Sequence, residues 1–307
     1  MRTQFVIGSR GSKLALAQAH LIQEQLKQQV PTADIRIEVI KTTGDVKTEP
    51  LSVIGGKGVF TKELEDALLD ERIDLAVHSL KDLPTIIPDG LAVPAICKRE
   101  DPRDALVLPV NSRSMQALDE LAAGAVIGTS SPRRLAQLKW LRPDLTFKEL
   151  RGNVDTRLRK LDEGQYEALV LACAGLRRLQ LDTRISIALT TEQMLPAVGQ
   201  GALAVETRAT DAEAAEIAGR LDHKFTRIAC IAERALLRQL GGGCQLPIAA
   251  HAVVRDKRIR LDGLVAAADG TQVVRERASG GLDEAEQLGS LLAEQLLANG
   301  ARDLLEL

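Results

Sequence analysis

Aromatic side chains are scarce in this chain of 307 residues, with Phe, Tyr and Trp together at 2%. That scarcity removes the stacking platforms on which single-stranded nucleic acid is held, and it leaves Leu, Val, Ile and Ala to fill the core. Charge of one sign is not in excess either. The formal net charge is −2, whereas a nucleic-acid domain usually carries a strongly basic balance, so no nucleic-acid partner is expected. No apolar run approaches the length that spans a bilayer, and no membrane partner is expected. The four histidines, at 20, 78, 223 and 251, show no i, i+4 pairing, so no metal is expected. The four cysteines, Cys97, Cys173, Cys230 and Cys244, form no C-x-x-C pair. A chain this long does not depend on a disulfide framework, and reduced thiols are expected. Met1 to Gly8 enters an apolar run at once and lacks the h-region and cleavage site of a secretory signal, so a cytoplasmic location is expected. No exposed apolar seam is evident, and a monomer is expected.

What is present is the composition of a soluble globular protein, 45% hydrophobic and 27% charged. The length exceeds what one core sustains, so two or three domains are expected. Val6-Ile7 and the alternating run Ile35 to Ile40 predict strands on either side of a helix from Leu14 to Gln29. A helix from Lys62 to Glu71 and a strand from Ile73 to Ser79 follow, closed by Pro84 and Pro88 in a loop. Strand and helix alternate again from Ala125 to Leu179. There the unbroken apolar run Ala168 to Ala172 predicts burial on both faces. The chain crosses between these two α/β lobes near Lys98 to Pro102 and near Leu195 to Gly201, and Ala202 to Thr207 returns as a strand to the first lobe. From Asp222 a helix to Leu240 precedes a meander, Ile248 to Val254, Arg258 to Ala267 and Gln272 to Arg277, with Asp269-Gly270 in a turn. A last helix, Asp283 to Leu297, ends at Gly300. The expected architecture is α/β: a first lobe over 1–98 and 199–219, a second over 102–195, a hinge between them, and a small third domain over 222–307 with a three-stranded antiparallel sheet.

Basic and small polar residues recur where a strand hands over to a helix, the place where open α/β sheets bind ligands. The junctions are Gly8-Ser9-Arg10-Gly11-Ser12-Lys13, His78-Ser79-Leu80-Lys81-Asp82-Leu83-Pro84, Gly128-Thr129-Ser130-Ser131-Pro132-Arg133-Arg134 and Leu150-Arg151-Gly152-Asn153-Val154-Asp155-Thr156-Arg157. Each alone is weak, because arginine pairs are often solvated helix faces and Ser or Asn before a helix is often only a cap. Repetition at equivalent places points to a shared anion-binding cleft. In the third junction Ser131 fits the N-cap and Pro132 the first helical position, so the helix end favours an anion. Arg133 and Arg134 add fork-shaped donors suited to carboxylates. Phosphate is disfavoured, since neither G-x-G-x-x-G nor G-x-x-x-x-G-K-[ST] occurs.

Asp82 is an acid among these cations, and a carboxylate there stays ionised and available to a cationic intermediate. A structural ion pair with Lys81 or an arginine is the alternative. Gly44 to Phe60 has few periodic apolar residues and is expected to be a mobile loop able to cover the cleft. Cys244 follows three glycines and precedes Gln245-Leu246-Pro247. Three glycines in a row mark a tight turn or a close backbone approach, which suggests a thiol presented as a covalent anchor. A small buried hydrophobe is the alternative.

With these residues in place, the chain resembles the porphobilinogen deaminase family over nearly its whole length. The resemblance rests on Gly8 to Leu16, Gly55 to Phe60, His78 to Pro84, Gly128 to Arg134, Arg151 to Asn153, Ala197 to Ala202 and Gly242 to Gln245. It implies two periplasmic-binding-protein-like lobes and a third domain bearing a cofactor cysteine. It also implies a transferase that joins four porphobilinogen molecules head to tail with release of ammonia and yields hydroxymethylbilane, on a dipyrromethane primer held by Cys244. By the same resemblance Asp82 is the catalytic carboxylate, and Lys81, Thr129, Ser130, Ser131, Arg133, Arg134 and Arg151 bind the cofactor. Arg10, Ser12, Arg157, Gln200, Lys57 and Phe60 are assigned to substrate. Departures from the family pattern are Pro132, benign in a first helical turn, Val53 in place of a lysine, and Gly241 in place of an acid. The two-lobe pattern taken alone also fits a non-catalytic carboxylate-binding protein, which would close on a ligand without releasing ammonia.

Overall fold

The computed structural model describes residues 2–42, 61–110, 112, 114–243 and 246–305. The expected lid from Gly44 to Phe60, with Lys57, Val53 and Phe60, and the anchor Cys244 lie outside the described residues. The chain forms two compact units, Met1–Glu100 with Ala202–Arg227, and Asp101–Gly201 with Ile228–Leu307. The first two passages between them fall within or at the end of the segments where the sequence places the hinge.

The first unit opens as expected with strand β1 (Gln4–Arg10), helix α1 (Lys13–Gln29) and strand β2 (Asp34–Ile40). Helix α2 (Lys62–Leu69) and strand β3 (Leu75–Ser79) follow, then β4 (Leu91–Ile96). The returning strand β10 (Leu203–Arg208) completes a sheet of order β2-β1-β3-β10-β4. Strands β1, β2 and β3 run parallel, and β10 is antiparallel to both of its neighbours. Both faces are covered: Phe5, Ile7 and Ile35 bury against Ile22 and Leu26 of α1, while Ile73 and Ala76 bury against Leu64 and Leu68 of α2. Strand β4 is absent from the sequence reading because Pro94 breaks its pattern. The structure places it at the sheet edge, where a missing N–H costs no ladder bond, and the Arg227 guanidinium covers the Val93 and Pro94 carbonyls.

The second unit repeats the plan. Strands β5 (Asp104–Val107), β6 (Val126–Gly128), β7 (Thr146–Lys148), β8 (Ala168–Ala172) and β9 (Ile187–Ala188) form a sheet of order β7-β6-β8-β5-β9. Strands β6, β7 and β8 are parallel and β5 is the antiparallel member. Helix α3 (Pro132–Leu141) sends Leu138 into one face beside Ile127 and Val170. Helices α4 (Val154–Asp162) and α5 (Cys173–Arg178) cover the other face beside Leu169 and Leu171. Strand β8 is therefore buried on both sides, as its unbroken apolar run predicts.

The same unit contains the antiparallel meander β11 (Ile248–Arg255), β12 (Arg258–Ala266) and β13 (Val273–Gly281). Helix α7 (Lys224–Gln239), preceded by α6 (Ala212–Gly219), and helix α8 (Ala285–Leu296) contribute to its core, where Leu236, Leu261, Leu292 and Leu296 meet. The first hairpin turns on Asp256 and Lys257, whose φ values of 49° and 58° are those of the tight turn that matches strand twist. The opposite face carries Ala249, Leu264 and Ala266 onto Ala136 and Leu195, which joins the meander to α3. Gly270 is required there: at φ 75°, a Cβ would stand 2.5 Å from the Lys139 Cβ and 2.8 Å from the Ala136 carbonyl.

Candidate functional site

In the first unit β1 and β3 are parallel neighbours, with Ile7 opposite Leu75 and Gly8 opposite Ala76, so their C-terminal ends lie at one edge of the sheet. Arg10 is the last residue of β1, and Ser12 is the N-cap of α1, accepting from the Ala15 N–H at 3.3 Å. Lys81 and Asp82 share a single 3-10 turn, Leu80–Asp82, directly after β3. The Leu80 N–H donates to the Ala202 carbonyl, and Gln18 of α1 donates to Ser79 at 3.0 Å, which fix the turn against β10 and α1. Arg10, Ser12, Lys81 and Asp82 thus leave the same sheet edge. The Asp82 carboxylate is half-buried and receives no hydrogen bond or ion pair among the described residues.

In the second unit the equivalent edge carries Thr129, Ser130, Ser131 and Arg151, with Arg133 and Arg134 in the helix that follows β6 and Arg157 in the helix that follows β7. Strands β6 and β7 end side by side, and Ser130 ties them: its hydroxyl donates to the Leu150 carbonyl at 2.7 Å and accepts from the Leu150 N–H at 3.0 Å. The Thr129 hydroxyl accepts from the Ser131 N–H at 3.2 Å. Ser131 is the N-cap of α3 and Pro132 its first residue, as expected, but the Ser131 side chain makes no capping bond. The first-turn N–H groups therefore keep their affinity for an anion. Arg151 meets Glu149 at 2.5 Å, and the Arg157 Nε donates to the Gly152 carbonyl at 2.7 Å.

Arg133 and Arg134 are not on a solvated face. They are 5% and 7% exposed and converge on Asp104, which is fully buried. Arg133 Nη1 donates to Asp104 Oδ2 at 2.7 Å and to the Leu195 carbonyl at 2.9 Å. Arg134 donates through Nε and Nη2 to Asp104 Oδ1 and through Nη1 to the Val170 carbonyl. Gln200, also fully buried, donates from Nε2 to Asp104 Oδ1 at 3.0 Å and to the Pro102 carbonyl at 2.8 Å.

Asp104 and its bonding pattern are absent from the sequence reading. The only signal was an acid opening the short apolar strand Asp104-Ala105-Leu106-Val107. Burial opposes ionisation of Asp104, but Arg133 and Arg134 overcome it and hold the carboxyl well below the ordinary range. Burial pushes the Arg133 guanidinium down against the pull of Asp104. Arg157 is pushed down to about 10, first by burial and then by its neighbours Arg134 and Arg151. Arg157 thus lies close enough to Arg134 and Arg151 to feel their charge, and an acidic ligand beside it would relieve that repulsion.

Three other cysteines, Cys97, Cys173 and Cys230, are buried, and burial pushes the Cys173 thiol up to about 11, aided by the Asp101 charge. These thiols are packed as core residues, not presented. Among the described residues no cluster of His, Cys, Asp and Glu could hold a metal ion, and no helix is long and apolar enough to cross a membrane.

The chain matches the family model described as porphobilinogen deaminase, dipyromethane cofactor binding domain, over residues 5–216, and the model described as porphobilinogen deaminase, C-terminal domain, over residues 227–298. It is 52% identical to a porphobilinogen deaminase of Desulforudis audaxviator, covering 99% of this chain and 98% of that one. It is 49% identical to a porphobilinogen deaminase of a Nostoc species, covering 97% and 93%. A solved arginine transport-system periplasmic binding protein from Legionella pneumophila superposes with a TM-score of 0.41, at 14% identity, over 71% of this chain and 92% of that one.

Proposed function

Because the chain belongs to the porphobilinogen deaminase family, we propose that Asp82 is its catalytic carboxylate and Cys244 its covalent anchor. The activity is that of a tetrapyrrole-biosynthesis enzyme that polymerises porphobilinogen on a dipyrromethane cofactor. The donor set of the second unit fits such a cofactor, since Arg133 leaves Nε and Nη2 without a partner among the described residues, Arg157 lies near the Arg134 and Arg151 charges, and α3 adds an anion-favouring end. When bound, the cofactor supplies the pyrrole carbon to which substrate is joined.

The chain's own residues do the rest. Asp82, unpaired among the described residues, is left to accept from pyrrole N–H groups and to stabilise the cation formed on the substrate methylene as ammonia departs. Lys81, Thr129, Ser130, Ser131, Arg133 and Arg151 hold the acetate and propionate groups of the cofactor, and Arg134, whose donors are engaged by Asp104 and Val170, adds its charge beside them. Arg10, Ser12 and Arg157 hold those of the substrate, with Lys57 and Phe60 from the loop and Gln200 in support. Each added ring brings two carboxylates, so local arginine density matters although the whole chain carries a net charge of −2. A thioether to Cys244 suits a primer kept through repeated cycles, because it has no carbonyl for water to attack. The proposal includes head-to-tail joining of four units and a monomeric, cytoplasmic enzyme. It retains a division into 1–98 with 199–219, 102–195 and 222–307, supported by the separate family match over residues 227–298.

The observation that carries this reading is the half-buried Asp82, left without a partner among the described residues at a sheet end, in a chain matched to this family over nearly its full length. Intact mass tests it. The purified protein is expected to exceed its sequence mass by two pyrrole units, and Cys244→Ser to remove the increment. A fully active protein at its bare sequence mass would overturn the assignment.

A further inference from the structure

The geometry around Asp104 points to a positioning residue that the family match does not assign. We infer that Asp104 orients the Arg133 guanidinium toward a ligand carboxylate and ties that orientation to both segments through which the chain enters and leaves the second lobe. The inference rests on the proposed role of Arg133 in cofactor binding.

Consider first which donors are used. Arg134 places all of Nε, Nη1 and Nη2 on protein oxygens. Arg133 uses Nη1 alone, shared between Asp104 Oδ2 and the Leu195 carbonyl, and its Nε and Nη2 have no partner among the described residues. Nε and Nη2 form the side-on edge of a guanidinium, the two-donor fork that matches a carboxylate. Asp104 grips the opposite corner, so the plane of that fork follows the position of Oδ2.

The second consideration is what fixes Asp104. Its Oδ1 accepts from Gln200 Nε2, which also donates to the Pro102 carbonyl. Gln137 clamps Leu195 from both sides, accepting from its N–H at 2.8 Å and donating to its carbonyl at 3.0 Å. The segments around Pro102 and around Leu195 to Gln200 are thereby joined on one carboxylate at the head of β5. A displacement of either segment is passed to Arg133 through bonds of 2.7–3.0 Å.

Charge supplies the third. One buried anion faces two buried cations, so a node built only for structure would carry a surplus positive charge. A ligand carboxylate on the open fork of Arg133 would complete the neutralisation.

The test uses full-length Asp104→Asn and Asp104→Glu proteins freed of cofactor, held at temperatures where circular dichroism is native. Each is incubated with porphobilinogen at several concentrations, and the two-pyrrole mass increment is followed in time. The inference predicts loading in Asp104→Asn slowed by roughly tenfold or more, mainly as a weaker half-saturation, with partial recovery in Asp104→Glu, which keeps the charge but shifts it by a methylene. A purely structural Asp104 predicts wild-type loading in every natively folded sample whatever its melting point, and that result overturns the inference. If Asp104→Asn does not fold, Asp104→Glu decides: loading as fast as wild type refutes the positioning role, and slowed loading in a native fold supports it. A wild-type protein that never gains the increment would instead refute the family-based assignment of Cys244.

Discussion

The two five-stranded sheets share a strand order and a single antiparallel member in the fourth position, yet two of their acids, Asp82 and Asp104, are treated in opposite ways. At the edge of the first sheet Asp82 sits half-buried in a turn after the third parallel strand, without a partner among the described residues. In the second sheet Asp104 sits at the head of the antiparallel strand, wholly buried and gripped by two arginines and an amide. A carboxylate saturated by fixed donors is held in place and cannot serve an incoming cation. One left unsaturated at a sheet end can. The same backbone plan thus yields an acid left open in one region and an acid fixed by its neighbours in the other, and the difference is set by which strand end carries the residue.

Removing each acid separates the two roles. Asp82→Ala is expected to lower turnover by about 10³-fold, the scale on which a single electrostatic contact to a developing charge acts, while the melting temperature and the two-pyrrole mass increment stay at wild-type values. Steady-state rates set beside a thermal melt decide it; wild-type turnover in this variant would remove Asp82 from the mechanism and the contrast with it.

Asp104→Ala should show the reverse emphasis. It leaves two guanidinium groups buried without their counter-ion, and breaking such a pair costs about 3–5 kcal/mol of stability. The urea midpoint of the unfolding transition is the measurement. A loss below about 1 kcal/mol would mean that water reaches the arginines and that the node is an ordinary surface pair.

The contrast also separates what the sequence makes legible from what it hides. The β1-α1-β2 opening, the buried run of β8 and the returning strand β10 follow from hydrophobic period alone. The four basic junctions are legible for another reason, because each combines a strand end with basic and small polar residues. Strand β4 is hidden by Pro94, harmless only because that strand lies at an edge, a fact of sheet order that no local pattern contains. Asp104 is hidden because one acid before three apolar residues has no period, and its partners stand 29, 30 and 96 positions away. For Arg133 and Arg134 the residue types are legible, but their burial on a shared acid is not. Pro132 reads correctly as a first helical residue, yet the bare Ser131 N-cap, which leaves the helix end open to an anion, emerges only from the fold.

A smaller effect sharpens the comparison through pH. Besides its open acid edge, the first unit contains Glu65, buried in α2. Its carboxyl is raised first by burial and then, against the pull of the nearby Thr61 hydroxyl, by the Glu206 charge. A raised acid favours folding at low pH: its contribution is fully present below the unfolded value near 4.3 and is lost as pH rises through the folded value. Asp104 has the opposite sign. Its lowered carboxyl contributes above the unfolded value near 3.9, and the contribution is lost as pH falls through the folded value. Glu65→Gln should therefore stabilise the protein at pH 7 by about 0.5–1 kcal/mol, the low end for single substitutions, with a gain that fades toward pH 4. Asp104→Asn should be most harmful near neutrality and approach wild type only in strong acid. Urea midpoints of both variants between pH 7 and pH 3 trace the two trends. Parallel curves would show that the buried acids of the two sheets are held alike and that the opposition between the regions ends at their exposed edges.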